Sequence, residues 1–209
     1  MRNLIFAAIP LMFTACDNGG RYTYKGFEMD DYFPLDGDRT WTYSQLQEDV
    51  TWKMRVEKVP QTIRNGSTEI VTLEYYNDDT GDLLYSVDWS SDASNGIQVW
   101  GYSDELSGDS VAYDPPVQIA ERTMLTGDSV DTDTDDRTFT STFEGIEDCE
   151  NDWRADWTCA TITIDDGDGD DMNGPPFAGQ WWMATSYGAS RFVPTGYTDA
   201  WVLASATFE

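Results

Sequence analysis

"TWKMRVEKV", residues 51–59, alternates without a break. Trp52, Met54 and Val56 fall on one side of an extended chain, and Lys53, Arg55 and Glu57 on the other. A side-chain period of two belongs to a strand with one apolar and one wet face. The period recurs downstream. "TEIVTLEYY" (68–76) groups Val71, Leu73 and Tyr75, and "LLYSVDW" (83–89) groups Leu83, Tyr85, Val87 and Trp89. "GIQVWGY" (96–102), "RTFTSTF" (137–143), "WTCATITI" (157–164), "GQWWMATSYG" (179–188) and "DAWVLASATF" (199–208) follow. Between them lie turn clusters such as "RNGS", "NDDTGD", "SDASNG" and "VPTGYT". No segment carries an apolar helix period. The expectation is an all-β antiparallel meander of about nine to eleven strands, forming a strongly curved sheet or a partly open barrel. A β-sandwich is the alternative.

The chain has 209 residues, room for one domain with a tether. Its formal charge is −27, with no histidine. Only Lys25, Lys53 and Lys58 supply ammonium groups. Nucleic acid and anionic lipid are bound through Lys and Arg, so neither is an expected partner. The absence of histidine excludes Ser-His-Asp and Cys-His catalysis and imidazole-ligated metal. No Ser-x-x-Lys and no glycine loop ahead of a lysine occurs.

Leu4 to Phe13 is an apolar run of ten behind Arg2, too short to span a membrane and suited to a secretory signal. Phe13-Thr14-Ala15-Cys16 resembles a bacterial lipobox. That resemblance implies a signal peptide over 1–15, a diacylglyceryl group on Cys16 and a location in the bacterial cell envelope, facing the periplasm or the exterior. Residues 16–31 read as an acidic tether, and 32–209 as a single β domain. The acidic surface gives no help in holding a membrane, so attachment rests on the acyl chains. An exported chain meets oxidising conditions, and the two remaining cysteines, Cys149 and Cys159, are expected to form one disulfide. Two free buried thiols are the alternative. In "WTCATITI" the inward set is Ala160, Ile162 and Ile164, which places Cys159 on the opposite face and the bridge at the surface.

"YFPLDGDRTWTY", Tyr32 to Tyr43, is the most distinctive stretch. Phe33 and Leu35 flank Pro34, Asp36-Gly37 marks a turn, and Trp41 and Tyr43 share a strand face. It reads as an aromatic plug at one end of the sheet, with a ligand-contacting clamp as the alternative. The stretch resembles the opening motif of a group of exported bacterial lipoproteins of unknown function, Tyr-Phe-Pro-Leu followed by Trp-x-Tyr. "FEGIEDCENDWRADWTCATITI" and "GQWWMATSYGASRFV" are similar to later segments of that group. The resemblance implies a curved antiparallel sheet, somewhat similar to periplasmic lipoprotein carriers, and no activity.

The loop "DDGDGDDMNG" places Asp166, Asp168 and Asp170 at alternate positions with glycine between them, a candidate calcium loop. The EF-hand pattern is absent: Asp171 and Phe177 stand where its glycine and glutamate belong. A solvated acidic hairpin is the alternative, and no other cofactor is expected. Of Trp181 and Trp182, adjacent on a strand, one ring must face the core and the other outward.

The expected function is a non-catalytic, membrane-anchored binding or scaffold protein, with an envelope protein or hydrophobic ligand as partner. One alternative is a carrier or sensor holding a hydrophobic ligand in the concave sheet face. Another is a hydrolase built on paired carboxylates.

Overall fold

The computed structural model describes residues 26–47, 50–149, 157–167 and 174–208. The signal segment 1–15 and Cys16 lie outside the described residues. Strands β1 (Phe27–Glu28) and β8 (Thr123–Met124) form a small two-stranded sheet. The other twelve are β2 (Arg39–Gln47), β3 (Val50–Asn65), β4 (Thr68–Asn77), β5 (Leu83–Asp92), β6 (Gly96–Asp104), β7 (Asp109–Ala120), β9 (Ser129–Asp133), β10 (Thr138–Asp148), β11 (Thr158–Asp165), β12 (Gly179–Ala184), β13 (Gly188–Pro194) and β14 (Trp201–Phe208). They form one antiparallel sheet in the order β7-β6-β5-β4-β3-β2-β14-β13-β12-β11-β10-β9. Each strand pairs with its sequence neighbour, except where β14 returns to β2. The sheet nearly closes into a barrel: at the seam the Gln118 amide of β7 donates to Thr132 Oγ1 of β9 at 3.0 Å. The meander is therefore a nearly closed barrel, the partly open form expected, and the sandwich alternative falls.

The count of nine to eleven strands was low. β7 carries Pro115-Pro116 and does not read as a strand, because proline cannot donate to a ladder. It lies at the sheet edge, and its pairing with β6 jumps across the prolines, from Val117 opposite Val99 to Ala112 opposite Gly101. β9, "SVDTD", is short and acidic. "GQWWMATSYG" proves to be β12 plus the turn into β13.

The inward residues match the alternation except at Trp52, which is 46% exposed beside the β2–β3 hairpin, and at Leu83 and Tyr85, which are half-buried. Met54, Val56, Val71, Leu73, Tyr75, Val87 and Trp89 are buried, and so are Ala160, Ile162 and Ile164. Outward positions of the same strands carry Lys53, Arg55, Glu57 and Glu74. An apolar interior with a charged exterior is the reverse of a membrane-spanning barrel. Aromatic rings fill the inside. Trp181 stacks on Phe192 with centroids 4.7 Å apart, and Tyr75 stacks on Tyr85 at 4.3 Å. The void among Phe33, Trp41, Tyr43, Tyr75, Trp181 and Phe192 is about 10 Å³, barely enough for one water.

The ordered domain starts earlier than Tyr32. Residues 26–31, expected as the end of a tether, pack onto the barrel as β1 and a 3₁₀ turn, Met29–Tyr32. Met29 is fully buried. Its amide donates to the Arg122 carbonyl, and the Ser186 amide donates to the Asp31 carbonyl. The segment thus bridges the β7–β8 and β12–β13 connections across one end of the barrel. Met29 satisfies the apolar side of that crossing, a position the Gly- and Asp-rich composition concealed.

Candidate functional site

The two barrel ends differ, and the difference starts with which loops are apolar. The closed end holds the β3–β4, β5–β6 and β12–β13 turns and the "YFPLDGDRTWTY" segment. Phe33 enters the interior and meets Trp89 at 4.8 Å. Leu35, Trp41 and Tyr43 are buried. Trp41 Nε1 donates to the Tyr187 carbonyl at 2.8 Å and the Tyr43 hydroxyl to the Ala189 carbonyl at 2.8 Å. Gly37, at φ +66°, makes the turn that returns the chain into β2. Two cations clamp this turn. Lys58 Nζ donates to the carbonyls of Leu35 (2.7 Å) and Gly37 (2.9 Å). Arg39 donates to Asp36 and to the Ser186 carbonyl. The aromatic stretch is a plug, as its alternation suggested. Beside it lies an open groove lined by Asp30, Asp36 and Glu69, with Pro34, Leu35, Val71 and Ser91. Its Asp36 is held by Arg39 at 2.7 Å.

The opposite end holds the β2–β3, β4–β5, β6–β7, β9–β10, β11–β12 and β13–β14 connections. Here residues 174–178, leading into β12, fold inward and bury Phe177 against Phe139 (5.5 Å), Tyr113 (6.0 Å) and Tyr102 (6.2 Å). Trp181 Nε1 donates to the Phe177 carbonyl, fixing the loop's return. Gly179, at φ +129°, is where it rejoins the sheet: a Cβ there would sit 2.2 Å from the Val193 carbonyl oxygen. The loop fills the side nearest β6, β7 and β10 and leaves a cavity of about 230 Å³ beside β2, β3 and β14. Met54, Leu84, Tyr85, Trp201 and the Pro175-Pro176 pair line it, with Leu106 and Tyr197 at its rim. Polar atoms come from Gln45, Asp104 and Thr195. Gln45 Nε2 donates to the Asp199 carbonyl. Asp104 Oδ1 accepts the amides of Leu106 and Ser107, which fixes the β6–β7 turn. Leu106 is 81% exposed, Tyr197 50% and Trp52, on the β2–β3 hairpin, 46%. Exposed apolar side chains occur at the closed end as well, at Phe27, Ile63, Leu125 and Phe208, so what sets the open end apart is the apolar cavity beneath Leu106 and Tyr197. The sequence shows these residues as ordinary turn and strand members, and only closure of the barrel brings them together.

Of the three candidate calcium residues, Asp166 alone lies among the described residues, and it does not line this cavity. Asp166 is 1% exposed, and its carboxylate takes a 2.9 Å ion pair from Arg137. Asp168 and Asp170 lie outside the described residues. Among the described residues no group of three or more carboxylate or thiol side chains is placed to hold a metal ion.

Cys149 and Cys159 are bonded, with Cα atoms 5.0 Å apart. Cys159 does face outward, away from Ala160, but the expected surface bridge is buried: Cys149 is 1% exposed and Cys159 0%. A second apolar layer covers it, built from Trp182, Ala184, Trp157, Tyr187 and Val193. Trp182 is the outward partner of core-facing Trp181. The Arg191 guanidinium lies 4.4 Å from its ring centroid, and its Nε1 donates to Glu147 at 2.7 Å.

The chain matches no known family model, no curated protein and no solved structure.

Proposed function

We propose that the protein is an exported, lipid-anchored protein of the bacterial cell envelope that binds a partner at the open end of its barrel and carries out no catalysis. The observation that carries the reading is the contrast between the ends: one plugged by Phe33 and Met29, the other keeping an apolar cavity under exposed Leu106 and Tyr197. Filled space inside the barrel argues against a ligand held deep in the concave face. The buried disulfide suits an oxidising compartment. The absence of histidine narrows the catalytic options. The described chain begins at Gly26, at the closed end. Gly26 stands ten positions after Cys16, a reach of at most about 33–36 Å. Acylation of Cys16 would therefore set the closed end toward the membrane and turn the cavity away from it.

The test is a titration with a neutral apolar fluorescent probe, N-phenyl-1-naphthylamine. Saturable binding of one equivalent is expected, weakened at least fivefold by Leu106→Ser with Tyr197→Ser and unchanged by Leu125→Ser near the closed end. Absence of saturable binding, or equal loss from variants at both ends, would refute the reading.

A further inference from the structure

We propose that the open end takes up one large apolar side chain presented by a cationic polypeptide segment, with the Asp104 carboxylate pairing with a Lys or Arg beside that anchor. The inference rests on the open end being the binding site and adds the chemistry of the occupant. Size comes first. Pockets that enclose whole small molecules run to about 300–1,000 Å³. The space here is about 230 Å³, and its rim continues into exposed Leu106 and Tyr197. That is the shape of an anchor pocket for a protruding side chain, with surrounding surface left for the backbone that carries it.

Charge selects the rest. Asp104 lines the cavity, and among the described residues no Lys or Arg does. Its Oδ1 is committed to the two turn amides. Its Oδ2 has no hydrogen-bond partner among the described residues. The neighbouring turns carry Asp79, Asp82, Glu105, Asp109, Asp135 and Asp136. The arginines near this end are engaged by carboxylates: Arg55 with Glu57 and Asp78, Arg137 with Asp166. Lys53 lies on the outward face of β3. An anionic or second-copy occupant would meet this field as repulsion, because the chain itself carries −27. A cationic segment is steered toward it.

The experiment uses the mature domain and three synthetic peptides, Lys-Lys-Trp-Lys-Lys, Ser-Ser-Trp-Ser-Ser and Lys-Lys-Ala-Lys-Lys, with the neutral probe in parallel. The first peptide should bind at least tenfold more tightly than either of the others. General attraction to an acidic protein is separated by two single-charge variants. Asp104→Asn keeps the Oδ1 acceptor of the turn and should weaken the first peptide at least fivefold. Asp135→Asn should change it less than twofold. Asp135→Asn should bind the neutral probe as the parent does, and Asp104→Asn should change probe binding by less than half as much as it weakens the first peptide. Equal effects of the two variants, or indifference to peptide charge while the probe still binds, overturns the inference and leaves the open-end reading standing. Failure of probe and peptides together overturns both. A dodecyltrimethylammonium ion that outcompetes the first peptide below its micellar concentration overturns the choice of a polypeptide occupant.

Discussion

Phe177→Ala is expected to be the most damaging single truncation outside the sheet itself. Phe177 belongs to a connection, yet it is fully buried and its ring faces four others: Phe139, Tyr113, Tyr102 and, at 6.4 Å, Trp89. Truncation of a fully buried phenylalanine costs about 3–5 kcal/mol, from lost transfer energy and the cavity left behind. Ring pairs add about 0.5–1.5 kcal/mol each beyond area, but they share one ring and do not sum. The β6 and β10 walls are each paired with a strand on both edges and resist inward collapse, which favours the upper half of the range. At about 2–4 °C per kcal/mol for a domain of this size, the melting temperature should fall by about 8–20 °C. The assay is thermal unfolding followed by near-ultraviolet circular dichroism, with Leu106→Ala as control. Leu106 is 81% exposed, so its truncation should shift the midpoint by no more than about 2 °C. A Phe177→Ala shift as small as that of the control would refute the claim that this loop is part of the core.

Reduction of Cys149–Cys159, or Cys159→Ala, should destabilise the domain by about 2–3 kcal/mol, because the bridge closes a short loop and sits under Trp182; urea titration with and without reductant measures it. Asp166→Asn should destabilise the domain in the presence of chelator, since it removes the carboxylate that Arg137 faces; a variant as stable as the parent without calcium, yet lacking a calcium-induced shift, would return Asp166 to a ligand role. Alkaline pH should unfold the domain. Burial raises the Tyr43 and Tyr75 hydroxyls above the ordinary phenol value, and the Glu74 acceptor, with burial, raises Tyr76 to about 12. Groups whose folded-state pKa is raised give stability that is complete below about pH 10 and is lost as pH rises through the folded value. The phenolate absorbance contributed by Tyr43 and Tyr75, read as the loss on Tyr43→Phe with Tyr75→Phe, should therefore appear together with loss of structure rather than near pH 10. Mass spectrometry of the mature amino terminus should find diacylglyceryl on Cys16, and Cys16→Ser should move the protein to the soluble fraction; a free amino terminus at another residue would exclude the anchor.

How much of this was legible follows from what alternation encodes. It reports which side of a strand is dry, so the inward sets of β3, β4, β5 and β11 were readable, and with them the all-β class. The plug was readable too, because Phe33, Leu35, Trp41 and Tyr43 combine aromatic bulk with proline and a turn. Alternation says nothing of what covers the outer face. Cys159 was placed on the correct face and given the wrong exposure, since Trp157 and Tyr187 come from a loop and a turn to cover it. Nor does it mark apolar residues inside polar surroundings: Met29 looked like part of a tether, and Phe177, behind two prolines and an acidic run, looked like the end of a solvated loop. The open-end cavity was illegible for a topological reason. Its lining comes from β2, β3, β5, β6, β12's approach and the β13–β14 turn, which meet only when β14 pairs with β2.

The central claim, that this barrel binds at its open end, is tested most directly by the methionine methyl groups. Met54 lines the open cavity, whereas Met29 and Met124 are buried at the closed end. With ¹³C-methyl methionine, titration of the neutral probe should shift the Met54 resonance saturably, with one equivalent bound, and leave Met29 and Met124 in place. Shifts at Met29 or Met124 with Met54 unmoved would put the binding site at the plugged end and contradict the account.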